Sequence, residues 1–226
     1  LLEAVENGHL AGAALDVFVN EPNPNPEVLF NLKFSVTPHI GAATVEAQDR
    51  IGVELADKIN DILVIPESVY FEKYHTSELH NCIIAVGSGS IRQKIVNKIR
   101  SNKTIFPNLI HPSVIMDKRN ISFGEGIIIC AGTILTTNIS IGDFVHVNLS
   151  TTIGHDTTIA DFVTISPGVS ISGNVTILSE CFIGTGTRII EKVEITNNII
   201  VGSGAVVIKS LFSPGTYIGI PAKKIK

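Results

Sequence analysis

The 226-residue chain predicts a mainly β protein, a parallel β-helix preceded by a small, incomplete α/β region. Three observations carry that expectation. Aliphatic residues recur every six positions through the second half, and a strand–loop–helix pattern stands before them. The composition, 44% hydrophobic and only 17% charged, suits a chain that packs a core rather than a disordered one.

The six-residue ladder runs Ile129, Leu135, Ile141, Val147, Ile153, Ile159, Ile165, Ile171, Ile177, Ile183, Ile189, Ile195, Val201 and Val207, with Phe123 extending it upstream. Neither a helix nor an ordinary amphipathic strand has this period, whereas short fixed repeats mark a solenoid. Three hexads then close one coil of a triangular prism, and the 14 positions amount to nearly five coils. The aliphatic residues point inward, where β-branched types fit a pleated surface. Small or branched residues follow four places later, among them Thr133, Val145, Thr151, Val163, Val169, Val175, Cys181 and Ala205. Glycine follows the aliphatic at Gly142, Gly154, Gly184 and Gly202, where a turn is expected to need a small residue. In this register His155 and Asp156 lie at a turn and point away from the core. Position alone leaves a solvated turn and a reactive pair equally open.

Residues 64–106 read as a strand–loop–helix unit. The apolar run Cys82 to Val86 leads into GSGS, residues 87–90, and then a helix with Ile91, Ile95 and Ile99 on one face. A glycine-rich turn of this kind can cradle a phosphate at a helix N-terminus, although GSGS alone does not specify one.

Other features narrow the function classes. A net charge of −4 gives no reason to expect nucleic acid or an anionic membrane as partner. Cys82, Cys130 and Cys181 have neither zinc-site nor disulfide-framework spacing and read as buried thiols in a reducing compartment. No apolar run approaches the roughly 18 residues of a membrane span, and LLEAVENGHL is unlike a signal peptide. The expectation is a cytoplasmic protein without a metal. His111 and His146 are expected in turns without ligand companions. Position 1 is Leu1 and the only methionine is Met116, so a piece of something longer is also expected.

The segments IHPSVI (110–115), IGDFVHVNLSTTIGHD (141–156), ADFVTISPG (160–168), SGNV (172–175) and YIGIPAKKIK (217–226) resemble the left-handed β-helix, hexapeptide-repeat acyltransferases. More narrowly, they resemble the sialic acid O-acetyltransferases and the UDP-amino-sugar N-acetyltransferases. The resemblance implies a left-handed coil, a homotrimer, and direct acetyl transfer from acetyl-CoA to a small sugar acceptor. It also implies a catalytic histidine at His155, because the loss of a proton from an attacking amine or hydroxyl calls for a base titrating near neutrality. Asp156 would orient the ring. Gly154 stands where some relatives carry a second acidic residue. Asn148 matches an acceptor-positioning asparagine, and Thr164 stands where some relatives carry a donor-contacting histidine. Gly173, Gly184 and Gly202 would line the groove for the pantetheine arm, with Lys223 and Lys224 near the CoA phosphates. In that family residues 64–106 would be the second half of a domain that binds the sugar nucleotide, leaving residues 107–226 as the β-helix.

LLEAVENGHLAGAALDVFVNEP and FSVTPHIGAATVEAQDRIGVELADKI, within residues 1–63, resemble the end of the cofactor domain of D-2-hydroxyacid dehydrogenases, phosphoglycerate type. There Glu21 and His39 would be the acid/base dyad, supported by Asp16. Hydride transfer also needs a glycine fingerprint for NAD and a substrate arginine, which do not occur here, so no NAD-dependent activity is expected from this chain alone. The rival readings are a dehydrogenase fragment of a longer fusion and a non-catalytic trimeric β-helix.

Overall fold

The structure is a computed structural model and describes residues 2–7, 13–15, 34–36, 67–73, 75 and 79–225. Two units emerge, residues 1–69 and 70–226. In the first, helix α1 (Leu2–Glu6) and strands β1 (Ala13–Leu15) and β2 (Phe34–Val36) are described, and β1 pairs in parallel with β2. Asp16, Glu21 and His39 lie outside the described residues.

The division falls inside α2 (Glu67–Lys73). Tyr70 and Phe71 pack against a cluster of Ile84, Val96, Ile99, Phe106 and Phe144. Strands β3 (His80–Asn81) and β4 (Thr104–Ile105) pair in parallel around α3 (Gly89–Ile99), which Ser88 caps. Of the expected face, Ile99 is buried and Ile95 packs partly buried against the same cluster, while Ile91 is half exposed; Arg92 and Val96 are the other buried residues of α3.

The rest is a left-handed β-helix of about six coils. Its first wall stacks Ile121–Phe123, Ile139–Ile141, Thr158–Ile159, Thr176–Ile177 and Glu194–Ile195. The second stacks Leu109–Ile110, Ile128–Ile129, His146–Val147, Thr164–Ile165, Phe182–Ile183, Ile199–Val201 and Gly215–Ile218, with Lys223–Lys224 antiparallel at its edge. The third stacks Ile115–Met116, Ile134–Leu135, Thr152–Ile153, Ser170–Ile171, Arg188–Ile189 and Val206–Val207. Within the regular coils all walls pair in parallel, with partners eighteen residues apart, such as Ile141 with Ile159 and Ile153 with Ile171.

Every one of the 14 ladder positions is at most 3% exposed, as are the eight small or branched residues named with them. Fully burying an Ile or Val contributes about 1.5–3 kcal/mol, so this column dominates the folding of the solenoid. The six-residue count falls short by a coil because the first one breaks step. There Met116 fills the slot opposite Leu135, and one extra residue in the turn at Lys118–Asn120 delays the next slot to Phe123.

Turn chemistry also differs from expectation. Left-handed φ values occur at the third residue after each inward aliphatic from Ile129 to Val201, including Asn138 (53°), Asp156 (57°) and Asn174 (55°). The glycines that directly follow the aliphatic serve close approach between coils instead. A β-carbon on Gly154 would stand 2.6 Å from the Gly173 nitrogen, and one on Gly184 2.6 Å from the Ser203 nitrogen. Cys181 is buried, which pushes its thiol up to about 11, but Cys82 and Cys130 are only half-buried. Among the described residues no helix is long and apolar enough to cross a membrane, and no cluster of metal-binding side chains occurs.

Candidate active site

The corner between the third and first walls carries His155 and Asp156. Its local geometry follows from the hexad: Ile153 turns inward, Gly154 lets the coils approach, and His155 is thrown outward with 58% of its side chain exposed. Asp156 then takes the left-handed conformation, which Asp and Asn tolerate better than most residues.

Asp156 is held from two sides. Its Oδ1 accepts from Asn138 Nδ2 at 2.5 Å, one coil earlier, and its Oδ2 lies 2.7 Å from His155 Nδ1. The amide of Asn138 and the imidazole together hold the Asp156 carboxyl below the usual carboxylate range. An ionised carboxylate can only accept, so Nδ1 carries a proton, and Nε2 is the nitrogen with the lone pair in the neutral ring. One coil later, a β-carbon on Gly173 would stand 2.6 Å from Nε2. Gly173 thus leaves room for the ring. Asn138 and this role of Gly173 were not anticipated from the hexad count. Counting eighteen residues from Asp156 and His155 finds both.

The remaining expected site residues lie elsewhere in the chain. Asn148, Gly184 and Gly202 form a column at the corner between the second and third walls, away from His155. Asn148 donates from Nδ2 to the Ile165 carbonyl at 2.9 Å. A β-carbon on Gly202 would meet Ile218, 2.7 Å away. Lys223 is exposed on the terminal strand pair, while Lys224 Nζ donates to Ser213 Oγ at 2.9 Å.

Thr164 is no open subsite. It is 3% exposed, its hydroxyl donates to the Gly87 carbonyl at 2.6 Å, and it accepts from Arg92 Nη2 at 3.1 Å. Arg92 is fully buried and rivets α3 to the solenoid. It donates to the carbonyls of Phe144 (2.8 Å), Val86 (2.6 Å), Phe162 (3.0 Å) and Val163 (3.1 Å). Burial lowers the guanidinium to about 10, still charged at neutral pH. His146 sits in a strand rather than a turn, buried beside Arg92 Nη1 at 3.5 Å. Desolvation, then the Arg92 charge, pushes its imidazole down to about 4. The GSGS turn is pressed against the coils as well: a β-carbon on Gly89 would meet the Phe162 carbonyl oxygen.

A hexapeptide solenoid with an exposed imidazole held by a carboxylate defines an acyltransferase scaffold, and comparison with known proteins agrees. The acetyltransferase domain of PglB from Neisseria gonorrhoeae is 30% identical, with 74% of this chain and 80% of that one covered and a TM-score of 0.69. A histidine variant of perosamine N-acetyltransferase from Caulobacter crescentus, solved with CoA and GDP-perosamine, is 28% identical over 73% of this chain and 78% of that one, with a TM-score of 0.70. WeeI from Acinetobacter baumannii is 26% identical over 81% and 96%, with a TM-score of 0.64. The chain belongs to the hexapeptide-repeat, left-handed β-helix acetyltransferases. Its first part has a different relationship. Residues 1–41 match the D-isomer specific 2-hydroxyacid dehydrogenase NAD binding domain. D-3-phosphoglycerate dehydrogenase of Bacillus subtilis is 46% identical over 59 residues, 26% of this chain, and the chain spans only 11% of that enzyme's length.

Proposed function

We propose that the protein transfers the acetyl group of acetyl-CoA to the amino group of a nucleotide-linked amino sugar, with His155 as general base. The observation that carries this reading is the Asn138–Asp156–His155 chain, which engages Nδ1 and leaves Nε2 of a largely exposed ring as the basic nitrogen. The solved relatives include enzymes named as N-acetyltransferases and one complex with CoA and GDP-perosamine, which favours an amine over a sialic acid hydroxyl as acceptor.

The step balances without a covalent enzyme intermediate. The acceptor amine attacks the thioester carbonyl, Nε2 takes its proton, and the C–S bond breaks as the thiolate leaves and is reprotonated. Asp156 stabilises the imidazolium that forms. Gly173 places backbone, not side chain, against the ring, which lets the imidazole lie over that coil. The two corners that carry the expected site residues lie apart in one chain, so a homotrimer that sets one subunit's Asn148–Gly184–Gly202 column against its neighbour's His155 would complete the donor groove.

The test is acetylation of a panel of nucleotide amino sugars and sialic acids by wild type and His155→Ala. The expected result is amine acetylation in wild type and a loss of about 10²–10⁴-fold in the variant. Undiminished transfer by His155→Ala would remove the base from this scheme.

A further inference from the structure

The imidazole of His155 is not held by burial. Its side chain is 58% exposed and that of Asp156 41%, so their mutual orientation depends on hydrogen bonds. Both carboxylate oxygens of Asp156 are committed, Oδ2 to the ring at Nδ1 and Oδ1 to Nδ2 of Asn138. A carboxylate tied at one oxygen alone turns easily, because its terminal torsion is broad. Tied at both, it stays in place. The arginine that lines the same groove as Asp156, Arg119, is engaged by Asp117 through Nε and Nη2, each at 3.0 Å. Among the described residues, the second hold on the carboxylate is therefore the Asn138 amide.

Asn138 itself stands on a rigid footing. It directly precedes the strand Ile139–Ile141 of the first wall, whose two isoleucines are each 2% exposed. The Asp156 N–H donates to the Thr137 carbonyl at 3.2 Å, which binds the two turns to each other, one coil apart. The turn alone does not call for an asparagine. Its φ of 53° is left-handed, yet Phe144, Phe162, Glu180 and Lys192 take that conformation at other turns of the solenoid. What asparagine adds at this position is an amide N–H within reach of a carboxylate.

We propose that Asn138 is a positioning residue for acetyl transfer: by anchoring Asp156 it sets the direction in which the His155 ring presents its basic nitrogen. The inference rests on the reading of His155 as the base and adds to that pair a member contributed by the preceding coil. Asn138 acts through Asp156 and touches neither donor nor acceptor. Its loss slows the chemical step without weakening the binding of acetyl-CoA or of the amine.

The experiment joins steady-state kinetics to nitrogen NMR of the His155 ring, on wild type, Asn138→Gly and Asn138→Asp, with His155→Ala to assign the ring signals. Gly and Asp both accept a left-handed φ, so the turn survives in each variant while the donor is lost. Each variant is expected to lose about tenfold in kcat, the size of one hydrogen bond to a charged group, with the KM for either substrate unchanged. In the neutral ring the wild-type signals should report a proton on Nδ1, and those of the variants a mixture of the two tautomers. Wild-type kcat in both variants would overturn the proposal. So would ring signals unaltered by either substitution, or an effect confined to KM. A tautomer shift in the variants, without acetyl transfer by wild type to any acceptor, would keep the anchoring of the ring and sink the acetyltransferase reading. Transfer that needs His155 but not Asn138 would do the reverse.

Discussion

His155 and Asp156 each owe their setting to the residue eighteen positions away, Gly173 below and Asn138 above. Asn138 keeps Asp156 ionised and turned toward Nδ1, so it acts on the reaction through another side chain. Gly173 acts by lacking one. Its φ is not left-handed, so alanine meets no backbone strain there, but the added methyl would stand 2.6 Å from Nε2. Gly173→Ala is therefore expected to fold as wild type while displacing the ring, lowering kcat by about 10²-fold. A circular dichroism melt superimposable on wild type, together with steady-state kinetics, checks both halves. Unchanged kcat would mean that the ring has room to move without leaving its working position.

At the scale of elements, α3 and the second wall are joined by a buried cation that has no carboxylate partner among the described residues. Arg92 satisfies carbonyl oxygens from both sides, and the His146 imidazole is buried beside it. The sign of the pH effect follows. The folded pKa of His146, about 4, lies below the ordinary value of about 6.5, so the unfolded chain binds the extra proton between them. Stability from the neutral imidazole is fully present above about pH 6.5 and is lost as pH falls toward 4. Thermal melts across that window should show a falling Tm, and His146→Gln, which cannot be protonated, should flatten the fall. An equally steep fall in the variant would assign the effect to other groups. This junction was not legible in the sequence. Arg92 is 52 residues from Phe144 and reads locally as an exposed helix cation, since only tertiary packing supplies the carbonyls that make its burial tolerable.

For the whole molecule, the division of the expected site between two corners bears on assembly. Three walls hold the corners apart, so one chain alone presents His155 without the Asn148–Gly184–Gly202 column. Sedimentation equilibrium is expected to give a particle of three chains, and a monomer that still acetylates would refute the shared groove. The ladder from Ile129 to Val207, the inward positions, and His155 and Asp156 as outward residues at a turn were all set by sequence alone, because each coil contacts only its neighbours and a strict period translates directly into stacking. The sequence could not convey which residues meet across coils or between α3 and the coils. The Asn138 amide, the Gly173 gap, the burial of Thr164 under Arg92 and the extra first coil depend on eighteen- and nineteen-residue registers and on docking against a separate helix. Those relations exist only once the chain has closed on itself, since spacing along the chain records neither which wall a turn faces nor what covers it.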